Sequence, residues 1–141
     1  MDAMPSAPAL AEAHSLSARL FQVIDRMRTD FAQVAAEFGL TPLQARSLLQ
    51  LEEPQPMRAL ADHLACEPSN VTGLADRLEA SGLVERVPGS DRRVKLLQLT
   101  GEGARLRGRL AARVAAGSTV TAKLSPAERR TLSGLLDRLL D

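Results

Sequence analysis

Apolar residues in the first part of the chain recur at intervals of three or four positions. This spacing continues from Leu16 to Phe38, and it predicts one long amphipathic helix that ends at Gly39. The Thr-Pro-Leu-Gln segment at 41–44 then has the features of a helix start: a capping threonine, a proline in the first turn and a glutamine that completes a capping box. A second helix is therefore predicted, ending near Leu51.

The middle of the chain changes to shorter elements. Short helices are predicted at 57–65 and 69–81, joined by the Cys-Glu-Pro turn at 66–68. Segments 83–87 and 94–100 are rich in Val and Leu and enclose a turn, which is typical of a β-hairpin with a longer loop.

Two further helices are predicted at the C-terminal end. One spans about 101–122 after a capping Thr100, and the other follows the Ser-Pro-Ala-Glu start at 125–128. Strands and helices do not alternate, so a parallel sheet is not expected. The predicted fold class is mainly α with a small β-hairpin wing (α+β).

The helix pair at 57–81 is a candidate helix-turn-helix motif. In such motifs the second helix lies in the DNA major groove and its first turn contacts base edges. Ser69, Asn70 and Thr72 occupy that turn, and Arg77 follows at a distance suited to a phosphate. Taken alone, the same pattern also fits an ordinary amphipathic helix whose polar side chains face water.

The hairpin tip carries a cluster of charge, Asp91, Arg92 and Arg93. The formal net charge of the whole chain is only +1, so this cluster is not part of a generally basic protein. Arginine is attracted to narrow minor grooves, and an acid two residues earlier can pair with Arg93 and orient it. Charged exposed turns are common. The hairpin tip therefore indicates a DNA contact only in combination with the helix pair before it.

The segment Leu60–Gly103, which includes LADHLACEPSNVTGLADRLEASGLVERV and LTGEG, resembles the DNA-binding core of the MarR family of transcriptional regulators. Asp91-Arg92-Arg93 matches the Asp-x-Arg wing motif of that family. The resemblance implies a winged helix-turn-helix in which the family's recognition-helix contacts fall on Ser69, Asn70, Thr72 and Arg77. It also implies that Arg93 enters the minor groove, with Asp91 as its partner and Arg92 beside it. Many members have Arg where this chain has Gly73.

The resemblance also implies a domain organisation and partners. Residues 13–40 would form an N-terminal dimerisation helix, 41–100 the DNA-binding region and 101–141 the C-terminal dimerisation helices, while the Ala- and Pro-rich residues 1–12 are predicted to be a flexible arm. The expected partners are a second copy of the chain and double-stranded DNA with a pseudo-palindromic operator. A small aromatic or phenolic effector that regulates a repressor is common in the family.

Several classes of protein are disfavoured by composition. Aromatic residues are only 2% of the 141 residues, which argues against base stacking on RNA or single strands. No phosphate-binding glycine loop or catalytic motif is present, so no enzyme activity, cofactor or metal is predicted. The start of the chain does not resemble a signal peptide and no apolar run is long enough for a membrane span, so a cytoplasmic protein is expected.

Two alternatives remain open at this point. Cys66 is the single cysteine, and it is either a redox sensor or a small residue required for packing in the helix-turn-helix turn. The winged helix itself is either a DNA-binding element or a module for protein–protein contact, which would show no salt-dependent DNA affinity.

Overall fold

Six α-helices and three short strands follow one another along residues 3–141, the part of the chain that this computed structural model describes. Their order and bounds are α1 (Ala7–Glu37), α2 (Pro42–Gln50), β1 (Gln55–Pro56), α3 (Met57–Leu64), α4 (Pro68–Ala80), β2 (Val84–Pro88), β3 (Lys95–Leu99), α5 (Gly101–Ala115) and α6 (Pro126–Leu140). A 3₁₀ turn at Thr121–Lys123 lies between α5 and α6. The predicted class, mainly helical with a small antiparallel wing, is confirmed.

The chain forms two units. One comprises Ala32–Ala116, and the other comprises the residues up to Phe31 together with Gly117–Asp141. We call the first the winged-helix unit and the second the terminal unit.

The winged-helix unit has a leucine-rich core. Full burial of a leucine side chain stabilises a fold by about 1.5–3 kcal/mol relative to exposure. Every helix from α2 to α5 and the sheet contribute residues with 0–1% exposure: Leu48, Leu51, Leu60, Val71, Leu78, Val84, Leu97 and Leu110. The core therefore fixes α3 and α4, the two helices of the motif, against the rest of the unit.

The wing is a three-stranded antiparallel sheet in the order β1-β3-β2. In the hairpin, Val84 pairs with Leu99 and Pro88 with Lys95, while Gln55 of β1 pairs with Leu97. The sequence predicted β2 and β3 but not β1, because a strand of two residues ending in proline shows no alternating pattern. Proline is tolerated there since β1 is an edge strand.

The predicted helix starts are confirmed. Thr41 Oγ1 accepts a hydrogen bond from the Gln44 amide at 3.2 Å, and Gln44 Oε1 accepts one from the Thr41 amide at 2.9 Å. Ser125 and Glu128 form the same capping box before α6. Gly39, with φ of +70°, follows the end of α1 as predicted.

Helix α1 begins earlier than the sequence predicted, because residues 7–12 of the predicted arm belong to it. Ser6 Oγ accepts a hydrogen bond from the Ala9 amide at 3.4 Å, and Pro8 lies in the first turn, where it replaces no helical hydrogen bond. Alanine, the strongest helix former, continues the helix. Residues 1 and 2 of the predicted arm lie outside the described part of the chain.

Helix α5 is also shorter than predicted. The apolar spacing predicted a helix to about residue 122, but α5 ends at Ala115. Gly117 has φ of +98°, a conformation that glycine adopts without strain and that interrupts the helix. The turn that follows is held to α1 within the terminal unit, because Asp30 Oδ2 accepts hydrogen bonds from the Thr119 amide, at 3.2 Å, and from the Thr119 hydroxyl.

The terminal unit has little core of its own. Helix α6 contains no buried residue along its described length. Its leucines are exposed by 38–84%, namely Leu132, Leu135, Leu136, Leu139 and Leu140. Helix α1 exposes a second apolar series, Leu16, Leu20, Phe21, Val23, Ile24 and Met27.

Candidate nucleic-acid interface

Helices α3 and α4 are joined by a turn of three residues, Ala65–Glu67. Ala65 has φ of +53°, an uncommon left-handed conformation for a residue with a side chain. The Cys66 amide donates to the Ala61 carbonyl oxygen at 3.0 Å, which closes the end of α3. The short, hydrogen-bonded turn gives the pair the connection that a helix-turn-helix motif requires.

One face of α4 is buried and the opposite face is exposed. Val71, Leu74, Ala75 and Leu78 lie in the core with 0–3% exposure. The first turn presents Ser69, Asn70 and Thr72 to solvent. The helix is therefore held by its apolar face in a position that leaves its polar N-terminal turn available.

The chemistry of this first turn suits hydrogen bonding to DNA. Thr72 Oγ1 donates to the Pro68 carbonyl oxygen at 3.2 Å, so its hydroxyl is oriented by the helix and still has oxygen lone pairs to accept with. Glu67, the N-cap residue, makes no capping hydrogen bond with its side chain. The amides at the start of α4 therefore do not donate to the Glu67 side chain. These amides and the helix dipole favour the binding of an anion at this end of the helix.

Arg77 lies two turns further along α4 and is exposed. A Cβ atom placed on Gly73 would lie 3.9 Å from Arg77 Nη2. Apart from the adjacent residues and the backbone of the same helix, it would meet no other atom within 4 Å. The guanidinium group therefore folds back along the helix toward its first turn, over the surface that Gly73 leaves open.

The tip of the wing is the loop between β2 and β3, and it exposes Asp91, Arg92 and Arg93. Asp91 Oδ1 accepts a hydrogen bond from the Arg93 amide at 3.0 Å, and the Asp91 carbonyl oxygen accepts one from the Val94 amide at 3.0 Å. A Cβ atom on Gly89 would lie 3.1 Å from the Val94 carbonyl oxygen, so the loop closes tightly at its base.

The sequence hypothesis that Asp91 pairs with the Arg93 side chain is corrected by this geometry. Among the ion pairs of residues 3–141, none joins the Asp91 carboxylate to the Arg93 guanidinium. The carboxylate instead accepts a hydrogen bond from the backbone amide two residues further on. This is the usual arrangement of an Asx turn. Asp91 thus shapes the loop that carries Arg93.

The recognition turn and the wing tip form two separate exposed groups. Within the described residues, no side-chain hydrogen bond or ion pair links Ser69, Asn70 or Thr72 to Asp91, Arg92 or Arg93. Their connection runs through residues that were not among the predicted DNA contacts.

Arg86, on β2, makes the first of these connections. Its Nη2 lies 2.6 Å from Asp76 Oδ1 and its Nη1 lies 3.2 Å from Glu79 Oε2, both on α4. The hydrogen bond to Asp76 raises the pKa of Arg86 above its ordinary value, against the opposing effect of burial, and the charges of both carboxylates add to the increase. Since the partners are seven and ten positions apart, no local sequence pattern reveals them.

A second connection lies at the base of the wing. Thr100 Oγ1 donates to the Gly82 carbonyl oxygen at 2.6 Å and accepts from the Gly103 amide at 3.0 Å, and the Thr100 amide donates to the Leu83 carbonyl oxygen at 3.1 Å. A Cβ atom on Gly103 would lie 1.9 Å from the Leu83 carbonyl oxygen. The glycine at 103, in the Leu-Thr-Gly-Glu-Gly segment, therefore lets α5 pack directly on the backbone that follows α4.

This geometry defines a winged helix-turn-helix protein, and the same class emerges from comparison with known proteins. The family model described as the MarR family matches residues 40–95. The HTH-type transcriptional regulator FarR of Neisseria gonorrhoeae is 30% identical over 102 residues, which cover 70% of this chain and 70% of FarR.

Two solved structures resemble this chain over nearly their whole length. A probable transcriptional regulator from Pseudomonas aeruginosa is 32% identical, with a TM-score of 0.69 and coverage of 87% of this chain and 95% of that one. The transcriptional repressor CouR, solved bound to a 23-mer DNA duplex, is 27% identical, with a TM-score of 0.74 and coverage of 99% and 100%.

The chain belongs to the MarR family of DNA-binding transcriptional regulators. The resemblance inferred from Leu60–Gly103 is thereby confirmed.

Within 3–141 no helix is both long and apolar enough to cross a membrane. The same residues contain no group of three or more His, Cys, Asp or Glu side chains arranged to hold a metal ion.

Proposed function

We propose that this protein is a homodimeric, sequence-specific repressor that responds to a small ligand and binds a pseudo-palindromic operator. In the proposal, α4 of each protomer enters a major groove and each wing reaches the neighbouring minor groove. The observation that carries it is the exposure of Ser69, Asn70 and Thr72 on a helix whose other face is fully buried, beside a wing that presents Arg92 and Arg93.

The site residues take different roles in this proposal. Ser69, Asn70 and Thr72 read base edges, because short polar side chains at the start of a recognition helix can donate and accept there. Arg77 contacts a phosphate. Arg93 enters the minor groove, Arg92 lies against the adjacent backbone, and Asp91 holds the loop in shape through the Arg93 amide.

The exposed apolar surface of the terminal unit supports a second copy as partner. Leu139 and Leu140 of α6 are exposed by 69% and 84%, and Phe21 of α1 by 67%. Apolar series of this extent on a protein mark association surfaces. A symmetric dimer would cover the same surface on both protomers and would present two recognition helices to two half-sites.

Repression and ligand response come from the family resemblance and from the similarity to CouR, itself named a transcriptional repressor. In the proposal, a small aromatic or phenolic effector binds one spacing of the two DNA-reading helices better than the other and so shifts operator affinity. In this proposal the protein acts on DNA in the cytoplasm and is a binding protein, not an enzyme.

The half-buried position of Cys66 favours a packing role over redox sensing. Its Sγ donates to the Leu64 carbonyl oxygen at 3.4 Å, inside the turn of the helix-turn-helix motif. Redox-sensing cysteines are accessible thiolates. A structural thiol in this turn is consistent with the DNA-binding proposal, in which the turn must stay closely packed.

The proposal is tested by Arg93→Ala. A duplex selected by the parent protein from a random-sequence pool serves as the probe, and affinity is measured by fluorescence anisotropy over a range of salt concentrations. We expect Arg93→Ala to weaken binding by roughly tenfold to a hundredfold, the range for losing a desolvated arginine contact worth about 1–3 kcal/mol, while light scattering shows an unchanged assembly.

Arg138→Ala is the matched control, because it removes the same charge from an exposed position on α6. It should bind like the parent. The DNA-binding proposal is refuted if the parent selects no duplex, or if its affinity does not fall as salt rises. Either result would favour the alternative of a protein–protein contact module. Equal binding by Arg93→Ala and the parent would refute the role of the wing.

A further inference from the structure

Arg86 occupies a distinctive place between the two DNA-reading groups. It lies in the middle of β2, opposite Leu97 of β3. Toward the base of the wing, the backbone is already fixed by Thr100, which bonds to Gly82 and Leu83. Toward the tip, the loop with Arg93 follows after Pro88. Among the ion pairs of residues 3–141, Arg86 thus provides the contact from the wing to α4 that lies beyond the fixed base.

The contact is a fork. Two nitrogen atoms of one guanidinium group reach two carboxylates, Asp76 Oδ1 at 2.6 Å and Glu79 Oε2 at 3.2 Å. Asp76 and Glu79 are three residues apart, so they lie on the same side of α4. A planar guanidinium held at two points has little freedom to rotate, unlike an ammonium group, which acts as a single point charge.

Most of the Arg86 side chain is also shielded from solvent. The Arg86 side chain is 29% exposed, whereas those of Asp76 and Glu79 are 62% and 44% exposed. Exposed ion pairs contribute little to folding, so the effect expected of this fork is on geometry. A hinge motion of the hairpin about its base would displace the tip most, and the fork opposes that motion partway along the strand.

We propose that Arg86 is a positioning residue for DNA binding, which sets the wing arginine Arg93 relative to the recognition helix through its fork to Asp76 and Glu79. This inference rests on the proposed function, since it requires that α4 and the wing contact the same DNA. Arg86 itself does not touch DNA in the proposal; it acts through Arg93.

A double-mutant cycle tests the proposal. Arg86→Gln is measured in the parent and in the Arg93→Ala background, with the selected duplex as probe. We expect a loss of roughly tenfold in the parent and less than about twofold in the Arg93→Ala background, because residues that act through one another are not additive. A change confined to fold stability would not produce this dependence on Arg93.

Two results would overturn the proposal. An equal loss in both backgrounds, with a shallower salt dependence, would mean that Arg86 contacts a phosphate directly. Recovery of parental affinity by the triple variant Asp76→Asn, Glu79→Gln, Arg86→Gln would mean that Arg86 only neutralises two carboxylates that otherwise repel DNA. The proposal expects the triple variant to remain weak, since the fork is still missing.

Arg86→Lys provides the conservative variant. It keeps the charge but loses the two-point geometry, and we expect binding between that of the parent and that of Arg86→Gln. Circular dichroism checks that each variant folds, and if Arg86→Gln does not, the cycle is carried out with Arg86→Lys.

Failure of this proposal is distinct from failure of the proposed function. If the parent selects no duplex, or Arg93→Ala binds like the parent, the proposed function or its wing component fails, and the positioning role fails with it. If the parent binds and Arg93 matters, but the cycle is additive, only the role of Arg86 is refuted.

Discussion

Leucine-rich helices behave differently in the two units of this protein. In the winged-helix unit, Leu48, Leu60 and Leu110 are fully buried with 0% exposure, whereas in the terminal unit Leu139 and Leu140 remain 69% and 84% exposed. The sequence periodicity of the two regions is similar, so periodicity alone does not separate them. An apolar stripe therefore does not by itself show whether a helix face is buried within the same chain.

The two units should therefore respond to different experiments. The winged-helix unit contains its own core, so changes there should act on the free energy of unfolding. The terminal unit exposes its apolar face, so changes there should act on the dissociation constant of the proposed dimer. Variants with a matched change in each unit test this distinction.

The largest expected effect is on assembly. Leu136→Glu puts a carboxylate in the middle of the exposed α6 series, where Leu136 is 40% exposed. If this face is a dimer interface, burying an unpaired charge there should weaken dimerisation by at least about a hundredfold, since such burial costs several kcal/mol. Analytical ultracentrifugation over a range of concentrations measures the change.

Gly134→Glu is the control for this variant. It adds the same acid to α6 at a position where a new Cβ meets no atom within 4 Å, and it should leave the assembly unchanged. A parent protein that sediments as a monomer, or a Leu136→Glu variant that dimerises as the parent does, would contradict the assignment of this face to dimerisation.

The next effect is on the winged-helix unit. Gly103→Ala would place a Cβ atom 1.9 Å from the Leu83 carbonyl oxygen, so α5 or the backbone after α4 must move. Overpacking of this kind typically costs about 1–3 kcal/mol. Urea unfolding should report a lower free energy of unfolding for this variant.

Gly108→Ala is the matched substitution for this test, because Gly108 lies in the same helix and a Cβ there meets nothing within 4 Å. It should raise the free energy of unfolding by about 0.5–1 kcal/mol, the difference between glycine and alanine in a helix interior. If Gly103→Ala is also stabilising, the close approach of α5 to Leu83 is wrong.

The smallest effect is expected at Gly73 on the recognition helix. Apart from the adjacent residues and the backbone of the same helix, a new Cβ would meet only Arg77 Nη2 at 3.9 Å, an ordinary contact with the end of a flexible side chain. Gly73→Ala should therefore stabilise the fold by up to about 1 kcal/mol. Thermal unfolding measures the gain, and a loss of stability would show that α4 is packed more tightly at this point than its open surface indicates.

Much of the fold was predictable because its signals are local. The capping boxes at Thr41 and Ser125, the glycine after α1 and the Val- and Leu-rich hairpin depend on residues a few positions apart. The candidate DNA contacts were predictable as a set for the same reason, since the first turn of α4 and the tip of the hairpin are each contiguous in the sequence.

The parts that could not be predicted depend on contacts between distant positions or on very short elements. The pairing of Gln55–Pro56 with β3 and the fork from Arg86 to Asp76 and Glu79 have no periodic pattern. The extent of α5 was overestimated, because the apolar spacing gives no measure of how strongly Gly117 interrupts a helix.

The sequence by itself determined the succession of helices, the hairpin and the residues that face solvent at α4 and the wing, because side-chain periodicity and capping act over one or two turns. Tertiary structure decided how these parts are held. It brought Arg86 onto α4 and placed Gly103 against Leu83. Each of these depends on where the packed core brings separate segments together, and that is a property of the folded chain as a whole.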